Sequence, residues 1–236
     1  MNTKARAAAR RLALLLLLLL SAAAHAPAQA EGNPPNWCRN GAFPGDSDHF
    51  RLARVKGARG ERAYFYNDTP DDCPKPDAKC RDKAYLVPGD EVIVSRAHGE
   101  WACSWYQPRR GPERVGWIEA ARLDIRAAQP RPLLSRWVGE WEFYRNSLHI
   151  RRDARADRLA VEGQAYWQGL GDNVHVGEVA GSVAPAGNTL TLEDDTCRVR
   201  LHLVGPYLVA DDNGQCGGVN VTFDGVYRKR AVRRRR

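Results

Sequence analysis

Residues 196–216 read TCRVRLHLVGPYLVADDNGQC. Val199, Leu201 and Leu203 take one parity, and Arg198, Arg200 and His202 take the other. Successive side chains of an extended strand point to opposite faces, so this run has one dry face and one wet face. Gly205-Pro206 interrupts it near the midpoint and marks a turn. Cys197 and Cys216 stand equidistant from that turn to within a residue or two, so they would face each other across a hairpin. Cys197 shares the parity of Val199 and Leu201, which puts the expected bridge toward the dry side.

The same alternation runs outward through residues 137–230. Trp137, Gly139, Trp141 and Phe143 oppose Glu140 and Glu142. Leu148 and Ile150 alternate with His149 and Arg151, and Leu190 and Leu192 alternate with threonines. Leu159, Val161, Ala165 and Trp167 oppose Arg158, Glu162 and Gln164. About eight such strands must bury their dry faces, and closure into an up-and-down barrel does so without leaving edges. By this parity His149 and His202 belong to wet faces.

Helix signals are weak throughout, and short alternating runs broken by Gly, Pro, Asn and Asp make the chain all-β. RAAQPRPLLSR, at 126–136, breaks the pattern and reads as a linker between two separate cores. The cysteines divide there, four before and two after. Before the linker lie an irregular segment at 31–51 and strand-like runs over 52–125.

Residues 1–30 begin with basic residues, continue through a leucine run and end Ala28-Gln29-Ala30. They are expected to be a signal peptide cleaved after Ala30, which implies a periplasmic or secreted protein. The apolar run is too short for a comfortable membrane span, so stable membrane insertion is not expected. The formal charge of +8 misleads. Four basic residues lie in the leader and seven in RKRAVRRRR, leaving 25 basic against 28 acidic in the body. A nucleic-acid partner is therefore not expected. The tail at 231–236 reads as solvated, with attraction to an anionic envelope surface as the alternative.

All six cysteines lie beyond the leader, and an even number in an exported chain reads as three disulfides. A bridge between Cys73 and Cys80 would close their loop locally and leave Cys38 to pair with Cys103, although four cysteines allow three pairings. The spacings match no zinc or calcium site, so no metal or cofactor is expected.

Two resemblances follow. Residues 52–125 resemble a bacterial SH3-like domain. The likeness rests on Ala63-Tyr64-Phe65-Tyr66 before a long loop, the turn Pro88-Gly89-Asp90 feeding Glu91–Val94, Gly99-Glu100-Trp101, and the close Val115-Gly116-Trp117-Ile118. In related domains clefts between such loops bind cell-wall peptides, so the resemblance implies a groove lined by Trp101, Trp105 and Tyr106, with Trp117 structural. Residues 137–230 are similar to lipocalin-like (calycin) barrels. Here the likeness rests on Gly139-Glu140-Trp141 and on the close Asp224-Gly225-Val226-Tyr227-Arg228, where a basic residue can pack over the Trp. Small periplasmic barrels of this kind include inhibitors of proteases and of lysozyme.

WQGLGDNVHVGE, at 167–178, gathers His175, Asp172 and Glu178. The odd separations put His175 across the strand from both carboxylates, so the stretch reads as a hairpin turn. The alternative is a barrel-mouth site at Trp167, Asn173 and His175. No nucleophile elbow, zinc-protease motif or phosphate loop occurs, and no enzyme is expected. The leading expectation is an exported cell-envelope protein binding peptidoglycan peptide. The alternatives are an inhibitor of a protease or lysozyme, bound to an envelope or host protein, and a small-molecule carrier. A cavity inside the barrel favours the carrier, and a packed interior favours a surface binder or inhibitor.

Overall fold

The alternating runs become fifteen strands in two antiparallel sheets in a computed structural model that describes residues 34–45, 47, 49–69, 72–127 and 129–230. The expected signal peptide at 1–30 and the tail at 231–236 lie outside the described residues. The first sheet contains β1 (Arg51–Val55), β2 (Ala63–Tyr66), β3 (Arg81–Leu86), β4 (Glu91–His98), β5 (Trp101–Tyr106), β6 (Arg114–Glu119) and β7 (Leu123–Ile125). Its order is β3-β2-β6-β5-β4-β1-β7.

The second sheet contains β8 (Gly139–Phe143), β9 (Asn146–Arg152), β10 (Leu159–Gln168), β11 (Val174–Val183), β12 (Thr189–Asp194), β13 (Cys197–Val204), β14 (Tyr207–Asp212) and β15 (Gly225–Lys229). Strands β8 to β11 pair in sequence, as do β12 to β15, and the last strand pairs with the first. At the remaining seam a methyl group on Gly181 of β11 would stand 3.5 Å from Leu192 Cδ2 of β12. The result is a nearly closed up-and-down barrel of eight strands, as the parity reading requires.

Its interior is filled by Trp137, Trp141, Leu148, Ile150, Phe223 and Tyr227 among others, all essentially inaccessible to water. Packing at the centre is tight. A Cβ added at Gly163 would fall 2.7 Å from Leu148 Cδ2 and 3.0 Å from Phe223 Cε1. Trp137 comes from the short helix α1 (Leu134–Trp137), and its carbonyl accepts a 2.8 Å hydrogen bond from Trp141 Nε1. Lys229 Nζ lies 4.9 Å from the centre of the Trp141 ring and donates to the Val138 carbonyl. The basic residue over that indole is thus Lys229, one position beyond the expected close at Arg228.

The two halves do not keep wholly separate cores. A further cluster joins Cys38, Phe43 and Phe50 with Ile93, Trp101, Cys103, Trp105 and Trp117 of the first sheet. Its other members are Val204, Val209 and Val226 of the barrel's outer face. His202, expected on a wet face, is 2% exposed and lies 5.1 Å from the Phe50 ring. Parity placed it correctly outside the barrel, but the first sheet and the segment before it cover that outside. Residues 126–136 are tied as well. Arg126 N donates to the Leu52 carbonyl at 2.9 Å, and the Arg136 guanidinium reaches the Gly205 carbonyl at 3.2 Å.

The three disulfides are Cys38–Cys103, Cys73–Cys80 and Cys197–Cys216. The first fastens the irregular N-terminal segment to β5. The third lies in the barrel core cluster, on the side that the parity of Cys197 indicates. Because the middle cluster draws on both sheets, calorimetry is expected to show one unfolding transition for the whole of 34–230. Phe50→Ala should lower its stability by about 3–5 kcal/mol without splitting the transition. Two separate transitions in the wild-type protein would show that the cores are independent.

Candidate functional site

Strand β5 decides the fate of the expected aromatic groove. It is buried on both faces: Trp101, Cys103 and Trp105 face the middle cluster, while Ala102 and Tyr106 face the core of the first sheet. Trp101 is packed 4.5 Å from Tyr66, and Trp105 stacks edge-on 5.2 Å from Tyr207 of the barrel. Trp105 Nε1 donates to Glu113 at 2.6 Å. Trp101 and Trp105 are therefore scaffold rather than an open groove, because the barrel occupies the face they would have offered. Tyr106 is half-buried beside Asp90. Trp117 is fully buried and donates to the Asn36 carbonyl at 2.6 Å, in keeping with a structural role.

What the first sheet does expose is tyrosine and arginine. Tyr64 and Tyr85 meet edge to face at 5.7 Å, with Arg62 4.3 Å over Tyr85 and Arg81 4.8 Å over Tyr64. Beside them Arg62, Tyr64, Tyr66, Glu119 and Arg122 line a cleft of about 280 Å³. The expected anchors were Trp101, Trp105 and Tyr106, and not these tyrosines. Their alternation on β2 was the available signal.

The barrel-mouth residues are brought together. Trp167 and His175 are cross-strand partners on β10 and β11, with rings 5.1 Å apart. Asn173 belongs to the turn between them, where Gly169 N donates to its carbonyl at 2.8 Å and Gln168 Nε2 donates to the Gly171 carbonyl at 3.0 Å. His175 Nδ1 sits 2.7 Å from the Val219 carbonyl, and Glu178 accepts from Gln164 at 3.1 Å, so the imidazole is engaged by main chain.

Two glycine-rich loops thus build one rim. At Gly177 a side chain would place Cβ 2.1 Å from the Cys216 carbonyl oxygen, and at Gly217 it would meet Gly177 Cα at 2.6 Å. Only glycines permit this approach. The rim carries Leu170, 96% exposed, and Val219, 71% exposed, with Val174 and Val176 also open on β11. Among the described residues no group of three His, Cys, Asp or Glu side chains is arranged to hold a metal ion.

Compared with protein-family models, curated proteins and solved structures, the chain shows no match.

Near this rim β14 ends in Asp211 and Asp212, opposite Asp224. Burial, reinforced by the neighbouring carboxylates, pushes Asp224 up to about 7, although its Oδ1 accepts from Asp212 N at 2.7 Å. The folded protein then holds a proton here that the unfolded chain releases near pH 4. Stability from this group falls as pH rises from about 4 to about 7, by at most about 4 kcal/mol. The Tm is expected to rise as pH is lowered from 7.5 toward 5.5. In Asp224→Asn, which keeps an acceptor oxygen, that rise should be flattened. An identical pH profile in the variant would assign the dependence to other groups.

Proposed function

We propose that the protein is an exported, non-enzymatic binding protein of the bacterial cell envelope. Its partner is a protein, engaged through the rim of the eight-stranded barrel. The observation that carries this reading is the pair of exposed apolar loop tips Leu170 and Val219, on loops braced through β11, with Val174 and Val176 exposed on the other face of that strand. Isolated exposed apolar residues are ordinary, but a pair held on a rigid frame is characteristic of a contact surface. Leu170 is presented at a loop tip that is closed by its own backbone bonds, so little ordering entropy opposes its insertion into a cleft.

Three disulfides suit an oxidising compartment, and no helix among the described residues is long and apolar enough to cross a membrane. The filled centre around Gly163 weighs against the carrier. The meander barrel, with Gly139-x-Trp141 under Lys229, supports the likeness to lipocalin-like barrels, and with it the inhibitor class of partner: a protease or a lysozyme. The mature chain at micromolar concentration should slow at least one enzyme of a panel of lysozymes and secreted proteases. Leu170→Asp should weaken that inhibition about 30-fold, the loss of a contact worth ~2 kcal/mol, with Tm unchanged. Inhibition untouched by Leu170→Asp would remove the rim from the reading.

A second reading places cell-wall peptide on the first sheet. It is supported by the cleft between Arg62, Tyr64, Tyr66 and Glu119, which replaces the buried tryptophans as the aromatic surface of an SH3-like half. The test omits residues 231–236, whose charges would hold any anionic wall at low salt. That protein should sediment with purified peptidoglycan at physiological salt, and Tyr64→Ala should release it by costing at least about 1 kcal/mol. Protein that stays in the supernatant would leave the rim as the sole reading.

A further inference from the structure

A second concave site lies where the two sheets meet. One wall is the loop joining β5 to β6, with Gln107 and Glu113. The other is the barrel edge formed by Glu142, Phe143, Tyr144 and Arg228, and together they enclose about 280 Å³. That volume lies just below the usual range for small-molecule pockets, roughly 300–1,000 Å³, and suits a ligand of one or two amino-acid residues.

The polar groups are set as a pair. Glu113 is half-buried, and Trp105 Nε1 donates to its Oε2 at 2.6 Å, which fixes the carboxylate and leaves Oε1 without a donor among the described residues. The Arg228 side chain, exposed on β15 beside Glu142, makes no hydrogen bond or ion pair with any described residue. The two charges are close enough for the guanidinium to lower the pKa of Glu113, yet they form no direct bridge. Burial outweighs that influence and holds Glu113 above the ordinary carboxylate range. A half-desolvated carboxylate and an unpaired guanidinium facing one groove are matched by a ligand carrying an ammonium and a carboxylate.

The apolar wall carries strain. Tyr144 occupies the tip of the β8–β9 hairpin at φ 49°, a region that bulky side chains rarely adopt, and it is 73% exposed. Its ring meets Phe143 edge to face at 4.7 Å. Phe143 in turn lies over Gly225, where any Cβ would come within 2.3 Å of the ring. Glycine at 144 would relieve the backbone. Tyrosine instead holds an aromatic face at the groove mouth, at a position where strain commonly accompanies ligand contact.

We propose that this groove binds a small zwitterion, an α-amino acid or the dipeptide equivalent, with an apolar side chain. The carboxylate meets Arg228, the ammonium meets Glu113, and the side chain lies against Tyr144, whose ring is backed by Phe143 from the barrel core; Glu142 is held by Arg230 at 3.3 Å. The site is independent of the barrel rim and of the Tyr64 cleft.

Calorimetric titration of the full mature chain with phenylalanine, Gly-Phe, N-acetylphenylalanine and phenylalaninamide tests it. Phenylalanine or Gly-Phe should bind saturably in the micromolar to millimolar range, and the two derivatives, each lacking one charge, at least about tenfold more weakly. Binding of Gly-Phe alone would identify a peptide as the source, and binding of phenylalanine alone a free amino acid. Arg228→Gln should weaken the zwitterion about tenfold and leave phenylalaninamide unchanged. Glu113→Gln, which keeps an acceptor for Trp105, should do the same with respect to N-acetylphenylalanine. Tyr144→Gly should raise Tm yet weaken binding, an outcome that a purely structural tyrosine would not produce. Leu170→Asp should bind as wild type, so failure of the rim reading and failure of this one are told apart. No saturable binding of either zwitterion at millimolar concentration overturns the proposal, as does binding that survives both Arg228→Gln and Glu113→Gln.

Discussion

Trp105 on β5 touches Tyr207 of the barrel on one side and Glu113 on the other, within a cluster that neither sheet could build alone. A seven-stranded sheet packed over a single core leaves its other face to water, and a closed barrel turns one parity of every strand outward. Here the two surplus faces cover one another. Val204, Val209 and Val226 are apolar at positions where an isolated barrel would carry polar residues. The Cys38–Cys103 bridge then seals the cluster from the N-terminal side. The groove at Glu113 and Arg228, the burial of His202 and the docking of the Gly205 turn against Leu52 all follow from that contact.

The barrel was legible because its signal is periodic and local. Strict alternation in 197–204 and 159–168 fixed which residues go inside, and Gly205-Pro206 fixed a hairpin. Cysteine count indicated three disulfides and the hairpin indicated Cys197–Cys216, whereas the count alone left three pairings open for the other four cysteines. The middle cluster was not legible, because parity states only that a side chain leaves one face. It cannot state whether water or protein lies on the other side. β5, WACSWY, is informative in retrospect: it has hardly any polar alternation, as expected of a strand dry on both faces. Reading its tryptophans as exposed anchors treated the first sheet as a free-standing domain. The rim was half legible. The composition of 167–178 marked a turn, but its contact with the loop after Cys216 depends on Gly177 and Gly217, whose only signal is the absence of a side chain.

The barrel centre has no room for one methyl group at Gly163. The surfaces proposed for recognition all lie at the ends and edges of the strands: the rim around Leu170, the hairpin tip at Tyr144, and the tyrosine–arginine face of β2 and β3. Each is carried by a hairpin whose base is pinned in a core. Side chains there can change in chemistry without disturbing the packing beneath.

The pairing of β15 with β8 also sets an order of assembly. Lys229 reaches back 91 residues to the Val138 carbonyl, whereas the other barrel ladders join consecutive strands. Short hairpins lose little chain entropy and can form early, while the closing pair must wait for residues 225–229. Until then β8 is an unpaired edge and Trp141 lacks its lysine cover, leaving an aggregation-prone strand that awaits its partner. The last strand made is thus the one that joins two four-stranded sheets into a nearly closed barrel.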